Sequence, residues 1–566
     1  MKNKNVLLLL SILIATGYFI LQVISIGSRE IPTTYWASKE EGSTIEVRIS
    51  PKMFIKDFFI YFGYGDGKVD IQFLNDNSVI FQQSVQSAFF QGKVISVNNV
   101  VDKVLIVTHG NGLEIREIAA KKDDKQFIDF SNAAIGILKG FNYSGNPYNL
   151  VDEQTKMKSI VSYRYSSYFD EIYHARTAYE LLKGLPPYDL VHPPLGKWLI
   201  SVGMAIWGVN PFGWRIVNLI FGSIALVLIL ILFTKLHKPS FWCGIAVIIL
   251  MASDFLHNSL SRTANLDTFS LFFILLCSIF GMSYISSILN RKEKLSKTNL
   301  AYFLSFSTGG LAFACKWNAL YSITPILTIS FAYRVYNLIK SNDKNWVIKT
   351  IKNGLLSIIA FIIPYYLTYL PITIKYPYHN LPGAVISDFV MLQNHIWKYH
   401  STLVATHPFS SEWYQWLLST KPLWAYYDNS LPSNLRSTIA YLGNPVMWGL
   451  GLLALAYLLI VALKNPKNNL SSFIVIASYI SSIVPWMFIG RIKFIYHYYL
   501  ALPWLYIAIA MAIDNLNLKQ GLKEKVAMTV SSLALIMLII YYPAVSGLTV
   551  SAKYIDMLKI MKSWIF

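Results

Sequence analysis

The chain has 566 residues, of which 54% are hydrophobic, 15% aromatic and only 14% charged. That is too apolar for a soluble protein of this length, and it indicates a polytopic α-helical membrane protein. The formal charge of +19 is scattered through short loops between apolar runs rather than gathered on one domain, which excludes nucleic acid as the partner and fits the cytoplasmic bias of Lys and Arg.

In chain order, residues 1–27 read as a first transmembrane helix. Lys2 and Lys4 precede an apolar run from Val6 to Ile26, long enough for a bilayer that needs about 20 residues. The run exceeds a usual signal core and lacks a clear small-x-small cleavage site, so the expectation is an uncleaved span with a cytoplasmic N-terminus. Residues 28–125 then alternate polar and apolar, as in Thr44-Ile-Glu-Val-Arg-Ile49, Lys68-Val-Asp-Ile-Gln-Phe73 and Val104-Leu-Ile-Val-Thr108, with turns at Gly65-Asp66-Gly67 and Asn111-Gly112. This predicts an extracytoplasmic, jelly-roll-like β-sandwich, serving either to touch a sugar or acceptor or as a spacer that shields a site.

Residues 126–210 read as a polar linker followed by an outer loop with interfacial helices. The loop holds the densest ionisable stretch, Tyr168 to Lys197, YFDEIYHARTAYELLKGLPPYDLVHPPLGK. Asp170, His174 and Thr177 share one helical face while Ile172, Ala175, Tyr179 and Leu182 form the other, which predicts an amphipathic helix at the membrane surface, ended by Gly184. Asp170 can be a general base for a hydroxyl acceptor, or merely part of a capping box with Ser167. His192 can face a donor phosphate or bond backbone carbonyls left unpaired beside Pro193 and Pro194.

Beyond Lys197 a transmembrane core covers 211–374, an outer aromatic loop 375–438, C-terminal transmembrane helices 439–545 and a tail 546–566. With the first helix these runs make about eleven spans. Alternation from a cytoplasmic N-terminus places on the cytosolic side Lys235 and Lys238; Arg291, Lys292, Lys294 and Lys297; Arg334, Lys340, Lys344, Lys349 and Lys352; Lys464 and Lys467; and Lys519, Lys523 and Lys525. Arg262, Lys316, Arg491 and Lys493, with His257 and His497, break that bias at the outer ends of spans. They can bind the phosphate of a polyprenyl carrier, or pair with Asp254 and Asp267, or snorkel. Trp413, Tyr414, Trp416 and Trp424 in the aromatic loop can stack on substrate, but an interfacial belt explains them as well. Cys243, Cys277 and Cys315 share no metal-ligand spacing and read as packing residues.

Six blocks in one order carry a resemblance. FDE with HPPLGK, then SRTANLD (261–267), CKWNALY (315–321), HPFSSEWYQW (407–416), LGNPVMW (442–448) and FIYHYYLALPW (494–504) resemble the protein O-mannosyltransferase family over roughly residues 160–510. The resemblance implies a GT-C fold and a cell-membrane enzyme with its site on the extracytoplasmic side. It implies inverting transfer of mannose from a polyprenyl-phosphate donor to a Ser or Thr hydroxyl, with no cofactor and no obligatory metal. Asp170 would be the base and Glu171 its support, with Arg262 and neighbouring cations helping the carrier phosphate leave; together with the charge placement above, the expected substrate-binding set is His192, Arg262, Asp267, Lys316, Arg491 and His497. The chain departs from eukaryotic members, which carry a β-trefoil in the later outer loop; here that loop is only about sixty residues and the β-domain follows the first span, a bacterial arrangement. The acceptor is thereby left open between protein, cell-wall polymer and lipid, and a lipid-linked-sugar transporter is the non-enzymatic rival.

Overall fold

The computed structural model describes all residues except 1, 124–125, 160, 291–294, 343 and 377–384. Helix α1 (Lys2–Val23) leads into strands β1 (Trp36–Ser38), β2 (Ser43–Phe62), β3 (Lys68–Asn75), β4 (Ser78–Gln86), β5 (Gly92–His109), β6 (Glu114–Lys121), β7 (Phe127–Ile128), β8 (Ala134–Lys139) and β9 (Tyr143–Gly145). These form one nine-stranded sheet in the order β4-β3-β5-β2-β6-β1-β9, with β7 on β6 and β8 on β2. The sequence led to a sandwich ending at 125 and a linker from 126. Instead the hydrogen-bonded network is continuous, because the long β2 bears register shifts against β5 and changes neighbour from β8 at Thr44–Arg48 to β6 at Asp57–Phe62. Three short strands of the presumed linker belong to the sheet, which therefore reaches Gly145. Its core holds Ile45, Phe58, Ile60, Val69, Phe73, Val104 and Ile118.

Next come α2 (Glu171–Lys183), α3 (Leu195–Trp207), α4 (Pro211–Leu236), α5 (Phe241–Ala252), α6 (Phe255–Ser261), α7 (Asp267–Asn290), α8 (Leu295–Cys315), α9 (Ala319–Lys340) and α10 (Trp346–Leu367). Helix α3 has 13 residues, about 20 Å, too short to span. The outer loop carries α11 (Leu370–Lys375), α12 (Val385–Thr402), α13 (Trp413–Trp416) and strands β10 (Leu423–Tyr427), β11 (Leu435–Arg436) and β12 (Thr438–Tyr441). The chain closes with α14 (Pro445–Lys464), α15 (Leu470–Ile483), α16 (Pro485–Phe488), a 3₁₀ segment (Ile495–Ala501), α17 (Leu502–Asn515), α18 (Gln520–Ser546), β13 (Val550–Ser551) and α19 (Ala552–Met557).

Among the described residues eight helices are long and apolar enough to cross a membrane, or nine if α5 and α6, bent by 59°, form one span. Helices α8 and α9 have the length but fall outside that set, so the expected count of eleven is reached only by including them. The break between α5 and α6 was not expected; Asp254 makes it by capping α6, its Oδ1 accepting from the Leu256 and His257 amides at 2.9 and 3.1 Å. The segment Ile495–Asn515 is almost wholly enclosed by other helices. Helix α10 stands at the rim with Ile348, Ile351, Leu355 and Ile358 exposed, a face that suits lipid. All three cysteines are free and buried, as packing residues should be. Arg291, Lys292 and Lys294 lie outside the described residues.

Helix α2 ends at Gly184 in the left-handed conformation (φ 66°), as expected. Part of its apolar side is covered by protein, since Ala175 and Ala178 are fully buried and Tyr179 packs 5.7 Å from Phe89 of the β-domain, while Leu182 is exposed. Phe89 and Phe90 also meet Trp214 of α4 at 5.8 and 5.9 Å. Arg176 reaches Asp66 through two bonds of 2.6 and 2.7 Å, and the Tyr61 hydroxyl donates to the Tyr165 carbonyl at 2.7 Å. The β-domain thus buttresses α2 against the bundle.

Candidate active site

The site begins at the turn into α2. Phe169 has a left-handed backbone (φ 49°), held by its ring against Tyr441 and Tyr496 at 5.6 and 6.0 Å. This turn sends the two carboxylates of the FDE motif in different directions. Glu171 is fully buried and grips Arg215 of α4 in a fork, Nε to Oε1 at 2.7 Å and Nη2 to Oε2 at 2.6 Å. It also accepts from the Ala264 amide at 3.0 Å and the Tyr168 amide at 3.2 Å. With both oxygens so engaged, Glu171 does not reach the cavity; it supports Asp170 only by fixing the backbone.

Asp170 sits at the N-cap position of α2 without making a side-chain cap bond, and the Ser167 hydroxyl is spent on the Phe89 carbonyl, so there is no capping box. The Asp170 side chain opens instead into a cavity of about 620 Å³ lined also by Tyr173, His174, His192, Lys316, Arg491 and Tyr496. Burial pushes its carboxyl above the ordinary carboxylate range, with Lys316 pulling the other way.

A second cavity of about 480 Å³ adjoins the first, lined by Trp317, Asn318, Tyr321, Trp397, His400, Trp486 and Arg491 among others. The two share His192, Lys316, Leu403, Arg491 and His497, so the boundary between them is cationic. Lys316 pairs with both oxygens of Asp267 at 2.9 and 2.8 Å, and its ammonium lies 4.8 Å from the Tyr496 ring centre. Arg491 has no carboxylate partner among the described residues. Its guanidinium donates to His400 Nδ1 on α12, while His400 Nε2 donates to the Val191 carbonyl at 2.8 Å. Burial and Arg491 push His400 down to about 3, which keeps that ring neutral and able to accept. His497 Nδ1 is engaged by the Phe494 backbone at 3.0 Å.

Asp189 ties the far wall together. It meets His174 Nδ1 and His192 Nδ1 at 3.2 Å and Lys197 Nζ at 3.0 Å. His174, Asp189 and His192 are close enough to hold a metal ion, but the Lys197 ammonium already neutralises the carboxylate that would be its anionic ligand.

Two families match this chain. The one described as "Dolichyl-phosphate-mannose-protein mannosyltransferase" matches residues 191–367, and "C-terminal four TMM region of protein-O-mannosyltransferase" matches residues 385–564. The chain belongs to the protein O-mannosyltransferase family. Among relatives, the polyprenol-phosphate-mannose–protein mannosyltransferase of Corynebacterium glutamicum is 23% identical over 461 residues, covering 70% of this chain and 88% of that protein. The Mycobacterium tuberculosis protein of the same name is 24% identical over 469 residues, covering 70% and 86%. The yeast protein O-mannosyltransferase Pmt1-Pmt2 complex bound to the sugar donor matches with TM-score 0.61 at 11% identity, covering 71% of this chain and 90% of that one. That likeness shows the fold, the GT-C fold expected from the motifs, here with a β-rich domain after the first helix.

Against the residues expected from the family motifs, Asp170, His192, Lys316, Arg491 and His497 come together at the cavities, and Asp267 joins them by holding Lys316. Arg262 does not. It donates to Ser25 O and Oγ at 2.9 and 2.8 Å, just past α1, and borders a small pocket behind Tyr168 rather than either of the two cavities described above. Of the other outward charges, Lys493 pairs with Glu412 at 2.6 Å, and His257 bonds the Tyr499 hydroxyl at 2.7 Å inside the bundle. His192 bonds the Asp189 carboxylate rather than proline carbonyls. Trp416 is a core residue, fully buried with its indole N–H on Ser411, so neither the belt nor stacking on substrate applies to it.

Four residues of this protein O-mannosyltransferase were missed from sequence: Arg215, Asp189, His400 and Asn318. Arg215 carried a signal, a lone cation inside an apolar span. Asn318, whose amide N and O are both buried without a partner among the described residues beside the second cavity, carried its signal in the CKWNALY block.

Proposed function

We propose that this chain transfers mannose from a polyprenyl-phosphate carrier to a Ser or Thr hydroxyl of a protein, at the extracytoplasmic face, with inversion at the anomeric carbon. The observation that carries the proposal is the Asp170 carboxylate, uncapped and opening into one space with Lys316 and Arg491. The acceptor oxygen attacks the anomeric carbon as its proton passes to Asp170, and the bond from that carbon to the phosphate oxygen breaks with its electron pair going to the phosphate. One displacement inverts the centre. Basicity raised by burial suits Asp170 to this proton transfer, and the cations at the cavity boundary stabilise charge on the departing polyprenyl phosphate. The actinobacterial relatives, named as polyprenol-phosphate-mannose–protein mannosyltransferases, support donor and acceptor class. The extracytoplasmic side rests on the loop charges.

The test is incubation of the purified chain with radiolabelled polyprenyl-phosphate mannose and a Ser/Thr peptide. Label should appear on the peptide as the α-linked product from a β-linked donor. Label only on added wall polymer or lipid would replace the protein acceptor, and no label anywhere would favour a transporter.

A further inference from the structure

The two imidazoles beside Asp170 are turned the same way. His174 stands one turn after Asp170 on α2, with Nδ1 3.2 Å from Asp189 Oδ2; His192 has Nδ1 3.2 Å from each Asp189 oxygen. An ionised carboxylate only accepts, so each ring must donate from Nδ1. Asp189 is built to stay ionised. Lys197 Nζ lies 3.0 Å from Oδ2, the Val191 amide donates to Oδ1 at 3.1 Å, and the Asp189 amide is itself fixed on Thr177 Oγ1 at 3.0 Å. Against the opposing effect of burial, Lys197 and His192 hold the carboxyl well below its usual range.

With Nδ1 committed as the donor, the neutral form of each ring leaves Nε2 as a bare acceptor. Both residues line the cavity that Asp170 enters, and among the described residues neither Nε2 has a hydrogen-bond partner or is buried away from solvent. The rings are 5.4 Å apart and nearly perpendicular. Their places along the site differ: His174 shares the helix of Asp170, whereas His192 also borders the second cavity, beside Lys316 and Arg491. A sugar passing from phosphate to base must lie between those ends. Phosphate oxygens offer only lone pairs and do not match two lone-pair acceptors; hydroxyls, which donate, do.

We propose that His174 and His192, both oriented by Asp189, read the transferred sugar, each accepting a hydrogen bond through Nε2 from a different hydroxyl. The inference rests on the mannosyl-transfer reading. Asp189 touches no substrate and is a positioning residue.

The experiment uses the full chain in lipid nanodiscs, with polyprenyl-phosphate mannose and its series of monodeoxy donors. Unmodified chain should lose about three- to tenfold in kcat/KM with the two donors whose read hydroxyl is gone. His192→Ala should lose a similar factor with intact mannose and nothing further with one of those donors; His174→Ala should do so with the other. Asp189→Asn, whose amide can donate and so frees the tautomers, should relax discrimination at both hydroxyls together. Inhibition by polyprenyl phosphate, which has no sugar, should be unchanged in His192→Gln and His174→Gln, which also shows that these variants are folded. Additive losses with every deoxy donor would overturn the proposal, as would weakened inhibition by polyprenyl phosphate. Activity lost on chelation and restored by a divalent cation would overturn it too, making the trio a metal site. If the unmodified chain uses none of the donors, the transfer reading falls and takes this inference with it; turnover without hydroxyl-specific coupling removes this inference alone.

Discussion

Asp170 and Glu171 are adjacent in sequence and opposite in circumstance, and substitutions should separate them. Asp170→Asn keeps shape and removes the base, so turnover should fall by at least about a hundredfold while donor binding, measured separately, persists. Because burial raises its pKa, the rate should fall with acidification at a pH above the ordinary carboxylate range, as protonation removes the base. Glu171→Gln would be mild if Glu171 were a helper at the substrate. Its burial against Arg215 reverses that: an uncompensated guanidinium costs about 3–5 kcal/mol, so the variant should lose yield and melting temperature, and activity only in step with folded protein. His192 gives a second pH effect. Its pKa is lowered by burial from 6.5 to about 4, so the unfolded chain binds more protons between those values. Stability is therefore full above pH 6.5 and declines as pH falls toward 4, by up to about 3 kcal/mol. Melting scans at fixed rate should show this slope, and His192→Gln should flatten it.

At the scale of elements, α2 decides how the β-domain is understood. Alternation of polar and apolar residues told that α2 has an apolar face, but periodicity cannot say what covers that face, and lipid was assumed where Phe89 and Tyr179 meet. The strands at 127–145 were illegible for a related reason: β7 and β9 have two and three residues, too few for a pattern to register. The break at Asp254 was legible in principle, as an N-cap residue inside an apolar run. Buttressing changes what removal of the β-domain should do. An accessory module for acceptor choice would leave transfer to a short soluble peptide intact; a buttress should not. Phe89→Ala removes a buried ring worth about 3–5 kcal/mol and should lower kcat even with such a peptide. The Arg176–Asp66 tie is a gentler probe, since Asp66 is 63% exposed and the pair contributes at most about 1 kcal/mol; Asp66→Ala should leave kcat nearly unchanged. A Phe89→Ala protein with normal kcat would return the β-domain to an accessory role.

For the whole molecule, the polytopic GT-C fold was legible because hydropathy is summed over many residues, while the placement of single cations was not, since one turn of chain moved Arg262 away from the cavities and a lone Arg215 into the foundation of α2. The tail adds a constraint on sidedness. Strand β13 pairs with β11 of the outer loop, the Ser437 hydroxyl donates to the Gly547 carbonyl at 2.7 Å, and the buried Trp564 indole donates to the Ser419 carbonyl at 2.8 Å. The C-terminus therefore shares a side with the aromatic loop, which requires an even number of crossings between them, and the four apolar spans from Pro445 to Ser546 supply it. Under the proposed orientation Lys553, Lys559 and Lys562 in this tail run against the charge bias, and Lys559 is paired with Asp556 at 2.7 Å. Single cysteines, placed in a chain whose own three are replaced by serine or alanine, test the arrangement. At Asn98 on the β-domain, Ser401 on α12 and Lys562 in the tail they should all react with an impermeant thiol reagent in intact cells, whereas Lys523→Cys at the start of α18 should react only after lysis. Protection of Lys562→Cys with labelling of Ser401→Cys would break the shared side of tail and loop; labelling of Lys523→Cys from outside would invert the molecule and put Asp170 in the cytosol.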